Sequence, residues 1–395
     1  MDLGDIPEHI LLNIFESACT DGGATGAALS ATSHEVAELS AGYRYQSIAL
    51  SGVDQLEAFI NSPGPKQRVP LNIQHLFLCD RERKRASDRI GYPRAVTKQR
   101  ATKKRERAKQ RYADRAEKDA DDALKFADGL KRILGNCRNS LRTLTVVLFN
   151  PTDSTQSEIL NHLWSWTYPE LTDLSLRLCD TRQFPKGLGF QATLLPALER
   201  LHFASATSLM VIAPDWDEPP TEPMYTETQL VRFLREVGQI ASLSCIRLSD
   251  VKGTEWIEVY LAKLLNLRFP ADTSHGMPPA YLMNAVPKIE FRFPTKLRIG
   301  LQIWNGVGRA IRESYGFLPL KLRKIAVEKR QFLADVIELR RTERDLYPNE
   351  PRVSYLGAVK ERSYDVWMNE WLERQQTESG IARELMLVPD DEDED

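Results

Sequence analysis

The chain has 395 residues, of which 42 % are hydrophobic, and its 53 Lys/Arg against 55 Asp/Glu give a formal net charge of −2. That apolar share suffices for a folded core and excludes wholesale disorder, and no apolar run approaches the roughly 18–20 residues of a membrane span. The near-neutral total conceals segregated charge: residues 81–115 hold 15 Lys/Arg against 4 Asp/Glu, whereas Asp390 opens an unbroken run of six acids that ends at Asp395. Cys19, Cys79, Cys137, Cys179 and Cys245 are too dispersed for zinc-ligand spacing or a disulfide framework. With no basic or apolar leader in the first residues, a cytoplasmic and/or nuclear location is expected.

The first predicted element is a helix opened by Asp5-Ile6-Pro7-Glu8, with Asp5 as the cap, Pro7 in the first turn and Glu8 three residues after the cap. Ile10, Leu11, Ile14, Phe15 and Ala18 then form a broad apolar stripe. Helix geometry splits it into two lines, Ile10 with Ile14 and Leu11 with Phe15. One line is expected to pack on a second helix near Leu29 and Val36 and the other to meet a partner; the sequence leaves open which does which. Thr20-Asp21-Gly22-Gly23 stops the helix, and residues 22–26 read as a flexible link. Residues 27–39 are expected to form a second helix, 45–50 a strand and 53–61 a helix, followed by the turn Ser62-Pro63-Gly64-Pro65.

Beyond residue 72 a pattern recurs with apolar residues at i, i+3 and i+5. It appears as Ile73/Leu76/Leu78, Leu141/Leu144/Val146, Leu171/Leu174/Leu176, Leu198/Leu201/Phe203, Leu243/Ile246/Leu248, Val286/Ile289/Phe291 and Leu322/Ile325/Val327. Helix-like stretches at 124–137, 157–166 and 228–240 precede three of these triplets. The spacing suggests strand–helix units that bury their apolar faces only by stacking; an ordinary α/β domain with buried strands is the alternative. The expected fold class is α/β, with a helical head (1–50), a linker and first repeat (51–80) and a charged basic helical insertion (81–123). An irregular leucine-rich-repeat-like solenoid (124–330), C-terminal helices (331–388) and an acidic disordered tail (389–395) follow.

The insertion carries Lys98, Arg100, Lys103, Lys104, Arg105, Arg107, Lys109 and Arg111, but only Ile90, Tyr92, Val96 and Tyr112 as large apolar residues. Acid-before-base pairs such as Asp121/Lys125 fit a solvated helix. A nuclear-import signal or salt-sensitive contact with nucleic-acid phosphates are the other readings. The six histidines show no metal-ligand spacing, and His75 and His202 sit beside strand residues as ordinary packed histidines. No nucleophile-elbow or phosphate-loop pattern occurs, so the residues give no support for an enzyme, a metal or a cofactor. Trp164 and Trp166 fit either a target groove or, more simply, packing at a helix end.

The run Ile6-Pro7-Glu8-His9-Ile10-Leu11-Leu12-Asn13-Ile14-Phe15 resembles the opening of the F-box, whose first helix reads Leu-Pro-x-Glu-Ile-Leu-x-x-Ile-Phe. The run from Ala28 to Val36 resembles the family's Leu-Ser-x-Val-Cys-x-x-Trp helix, with Thr32-Ser33 for Val-Cys and Val36 for Trp. Tyr43-Arg44-Tyr45-Gln46-Ser47-Ile48-Ala49-Leu50 is similar to the strand that follows in fungal-type F-box proteins. The resemblance implies that Ile6, Pro7, Ile10, Leu11, Ile14, Phe15 and Leu29 dock a Skp-type adaptor carried on a cullin scaffold. It further implies that the repeats hold an unknown protein target for ubiquitin transfer, with no chemistry done by this chain. The alternative is a nucleic-acid-associated or nuclear protein that uses residues 94–115 and has no ligase role; a membrane is expected as a partner in neither reading.

Overall fold

The computed structural model describes residues 6–61, 72–81, 102–149, 153–178, 191–205, 236–251, 298–304, 353–359 and 364–376. The chain forms two compact units, Met1–Leu176 with Arg362–Ile381, and Arg177–Glu361 with Ala382–Asp395. It is a mixed α/β protein with parallel strands and intervening helices.

The first unit opens with three helices, α1 (Glu8–Ala18), α2 (Ala24–Thr32) and α3 (His34–Leu39). The start of α1 corrects the expected cap. Pro7 itself is the cap residue, no side chain caps the helix, and the Pro7 carbonyl accepts from the Ile10 and Leu11 amides at 2.9 and 3.2 Å. Asp5 lies outside the described residues. The single helix expected over 27–39 is two helices, broken where Ser33 adopts an extended backbone (φ −155°, ψ 165°) and its Oγ accepts from the Val36 amide at 3.2 Å. A serine hydroxyl competes for backbone groups and favours a cap over a helix interior.

Strand β1 (Ser47–Ser51), helix α4 (Val53–Asn61), strand β2 (His75–Cys79), helix α5 (Thr102–Cys137), strand β3 (Thr143–Val147), helix α6 (Asp153–Trp164) and strand β4 (Asp173–Leu178) follow. The strand order is the chain order. β1 to β3 are parallel, in a register that aligns Ile48, Leu76 and Leu144, and then Leu50, Leu78 and Val146. Side chains alternate across a strand. One face therefore carries Leu76, Leu78, Leu144, Val146, Leu174 and Leu176, all buried. Buried Leu56, Phe126, Leu130, Leu160 and Leu163 of α4 to α6 supply the apolar layer such a face requires. The opposite face is polar around Phe77: Ser47, Ser51, His75, Thr143, Thr145, Asp173 and Ser175.

A last helix, α7 (Tyr364–Gln376), belongs to this first unit and lies on the polar face. The Phe77 ring sits 5.6 Å from Tyr364 and 5.5 Å from Trp371, centroid to centroid. Trp367 and Trp371 are fully buried.

The composition boundary at 123/124 falls inside α5, a continuous helix of 36 residues, about 54 Å long. Its packed side includes Ala123, Phe126, Ala127, Leu130, Ile133, Leu134 and Cys137. They fall at i, i+3, i+4, i+7, i+10, i+11 and i+14, the helical period of one face. At its end the Arg138 guanidinium stacks 4.3 Å over the Trp166 ring, and Trp164 is buried, so both tryptophans pack at helix ends.

The second unit contains strands β5 (Arg200–Ser205), β6 (Cys245–Val251), β7 (Arg298–Trp304) and β8 (Val353–Val359), parallel and in chain order. Leu201, Ile246 and Ile299 share one register position, and Phe203, Leu248 and Leu301 another. Five of the apolar triplets thus enter or occupy strands β2 to β6, with every member buried. The triplets at 286 and 322 lie outside the described residues, as do the 62–65 turn, residues 228–235 and the acidic tail. Strand β8 corrects the expectation that 331–388 is helical. Val353-Ser354-Tyr355-Leu356 follows Pro351 and is rich in strand-favouring types, a signal overshadowed by the helical spacing of Tyr364, Trp367 and Trp371.

Candidate docking face

The two lines of the α1 stripe have separate fates. Leu11 and Phe15 are 7 % and 5 % exposed and pack with Val36, with Ile6, Leu29, Leu39 and Tyr43 around them. Ile10 and Ile14, one turn apart, are 41 % and 50 % exposed. Two further large apolar side chains among the described residues are comparably exposed, Leu124 on α5 and Val366 on α7. Pro7, His9 and Asn13 flank the isoleucines and are also exposed, and Leu12 is half-buried. Of the seven residues expected to dock a partner, Leu11 and Phe15 are core, Ile6 and Leu29 line the core's edge, and Pro7, Ile10 and Ile14 face outward. Covering the two isoleucines would contribute about 1–2 kcal/mol each.

The head meets the rest of the first unit at Gly22 and Gly23, which corrects the reading of residues 22–26 as a flexible link. Both glycines hold left-handed φ values, 81° and 101°. The Gly22 carbonyl accepts from the Ala49 amide at 3.2 Å, and the Gly22 amide donates to Ser47 Oγ at 3.1 Å. Asp21 receives the Thr25 amide at 2.9 Å and the Thr25 hydroxyl at 2.7 Å, which fixes the start of α2.

Under α7 the polar face is a set of fixed partners. Arg374 forms an ion pair with Asp173 at 3.2 Å and donates to Ser175 Oγ. His75 Nδ1 lies 3.0 Å from Thr143 Oγ1. Burial, reinforced by the nearby Arg142 charge, lowers the His75 pKa to about 4, so the ring is neutral near pH 7. In the second unit His202 and Ser249 are buried and hydrogen-bonded to each other. Cys19, Cys79, Cys137 and Cys245 are buried thiols, and burial pushes Cys137 up to about 12, an inert form.

Of the basic residues, Lys103, Lys104, Arg105, Arg107, Lys109 and Arg111 lie on the first turns of α5; Lys98 and Arg100 lie outside the described residues. Among the described residues no helix is long and apolar enough to cross a membrane. Sequence reasoning missed the contact of Ser47 with Gln375, 328 residues along the chain, and the packing of Trp371 on Phe77, neither of which carries a local signal. Comparison of the chain with protein-family models, with curated proteins and with solved structures found no match.

Proposed function

We propose that the chain is a substrate receptor of the F-box type. In this reading the α1–α3 head docks a Skp-type adaptor on a cullin scaffold, and the strand–helix units behind it are an irregular leucine-rich array that holds a protein target for ubiquitin transfer. The chain itself performs no chemistry and works in the cytoplasm and/or nucleus. One observation carries the reading: Ile10 and Ile14 point outward while Leu11 and Phe15 pack inward with Val36. A helix whose stripe served only its own core would bury both lines. The experiment is affinity capture of the tagged full chain from cell extract, scored for the adaptor and the cullin together. Recovery of both supports the reading; recovery of neither, with the chain folded and abundant, rejects it.

A second reading has one observation in its favour. Six of the basic residues share the N-terminal turns of a single long helix, a form able to lie along a nucleic-acid backbone. Binding to duplex DNA or RNA that weakens steeply with salt would support it, and salt-insensitive or absent binding would remove it.

A further inference from the structure

We propose that α7 is a clamp that sets the pose of the α1–α3 head on the first unit, with the Ser47 hydroxyl as its joint. Ser47 is fully buried at the start of β1. Its hydroxyl donates to Gln375 Oε1 of α7 at 2.8 Å and accepts from the Gly22 amide at 3.1 Å. One side chain thus ties the C-terminal helix, the first strand and the head's glycine turn together.

Packing repeats the same three-way contact. A Cβ placed on Gly22 would lie 3.2 Å from Ala49 Cβ, 3.3 Å from Met368 Cε and 3.4 Å from Trp371 Cζ3. The turn therefore has strand on one side and α7 on the other, and at φ 81° a larger residue would be both strained and tightly packed there. The rest of α7 is held independently of the head. Ser51 donates to Tyr364 Oη at 2.6 Å, Phe77 packs on Tyr364 and Trp371, and Arg374 reaches Asp173 and Ser175 across the sheet. The helix is thus anchored on β1, β2 and β4, and the head is held against that anchored assembly. The head has two further ties that do not involve α7: the Gly22 carbonyl accepts from the Ala49 amide of β1 at 3.2 Å, and the chain runs from Ser40 to Gln46, where the Tyr43, Arg44 and Gln46 amides close successive turns. With the α7 side of the joint lost, the head would keep only these ties to β1 and to the adjoining chain, and nothing would press its glycine turn onto the strand from the other side.

The consequence for activity rests on the docking reading. An adaptor seated on Ile10 and Ile14 would be held at a fixed angle to the sheet behind it, and anything that draws α7 away would change that angle without unfolding α1 to α3. The clamp also stands apart from that reading, because it concerns only how the head is held.

Hydrogen exchange of the full-length chain tests it, in the wild type and in Ser47→Ala and Gln375→Ala. The expected result is exchange at least tenfold faster in peptides covering 20–26 and 47–51 in both variants. Peptides from the packed half of α5 around Leu130 and Leu134 and from α1 should be unchanged. Wild-type exchange at 20–26 in both variants would overturn the clamp, as would a uniform loss of protection through the unit, which would make α7 ordinary core. Adaptor capture is scored separately: a wild type that binds no Skp-type adaptor defeats the docking reading and leaves the exchange result to decide the clamp.

Discussion

Ile14 and Phe15 are consecutive residues of α1, yet Ile14 is 50 % exposed and Phe15 is 5 % exposed. The 100° step between helix neighbours places one toward Val36 and the other away from it. The first prediction follows from that division. Phe15→Ala should cost about 3–4 kcal/mol by opening a cavity against Leu11 and Val36. Ile14→Ala should change stability by no more than about 0.5 kcal/mol. Chemical denaturation of the two variants, fitted with a common slope, checks it; equal losses would mean that the helix is seated differently.

Gly22 and Gly42 offer a matched pair. Gly22 has φ 81° and is crowded by Ala49, Met368 and Trp371, whereas a Cβ on Gly42 meets nothing within 4 Å. Gly22→Ala should therefore destabilise by about 1–3 kcal/mol through backbone strain and overpacking, and Gly42→Ala should be close to neutral. Thermal melts of the two variants side by side measure the difference.

Gly129 tests the packing of α4 on α5. A Cβ there would come within 2.6 Å of Leu56 Cδ2, a side chain that is itself fully buried. Gly129→Ala improves helix propensity by about 1 kcal/mol, but overpacking should outweigh it and leave a net loss of about 1–2 kcal/mol. Leu56→Ala should cost less in the Gly129→Ala background than in the wild type, because it removes the clash, and a double-mutant cycle reads that coupling.

His75 should give the fold an acid-sensitive slope. Its folded pKa of about 4 lies below the ordinary 6.5. Above pH 6.5 neither state binds the proton, and the stability contribution is complete. As pH falls from 6.5 toward 4 the unfolded chain protonates first, so stability is lost through that window and levels off below it. Between pH 7 and pH 5 the loss should be about 1–2 kcal/mol after allowance for partial solvent screening. His75→Gln should flatten this part of the profile relative to wild type, and urea titrations at the two pH values check it.

Where neighbours in sequence set the structure, the fold was legible. The stripe of α1 follows from a period of 3.6, and the triplets from Ile73 to Leu248 mark strands because a buried parallel strand is apolar in a short fixed rhythm. The side of the stripe that faces inward was not legible. Val36 and Tyr43 decide it, and nothing in the order of Ile10, Leu11, Ile14 and Phe15 distinguishes the two lines. Ser33 broke a helix that its apolar neighbours promised, because one hydroxyl caps the next helix more favourably than it continues the last. The joint between Ser47 and Gln375 spans 328 residues, and serine and glutamine at those positions look like ordinary polar residues. Gly22-Gly23 read as flexible because glycine permits freedom; here the same permissiveness allows left-handed backbone in a close approach to β1 and α7.

The most direct test of the docking reading is a binding titration of the purified full chain against a purified Skp-type adaptor, with Ile10→Asp/Ile14→Asp as the comparison. The expected result is saturable wild-type binding that the double variant loses at least a hundredfold while its melting temperature stays within a few degrees of wild type. Absence of wild-type binding, or equal binding by the double variant, would contradict it.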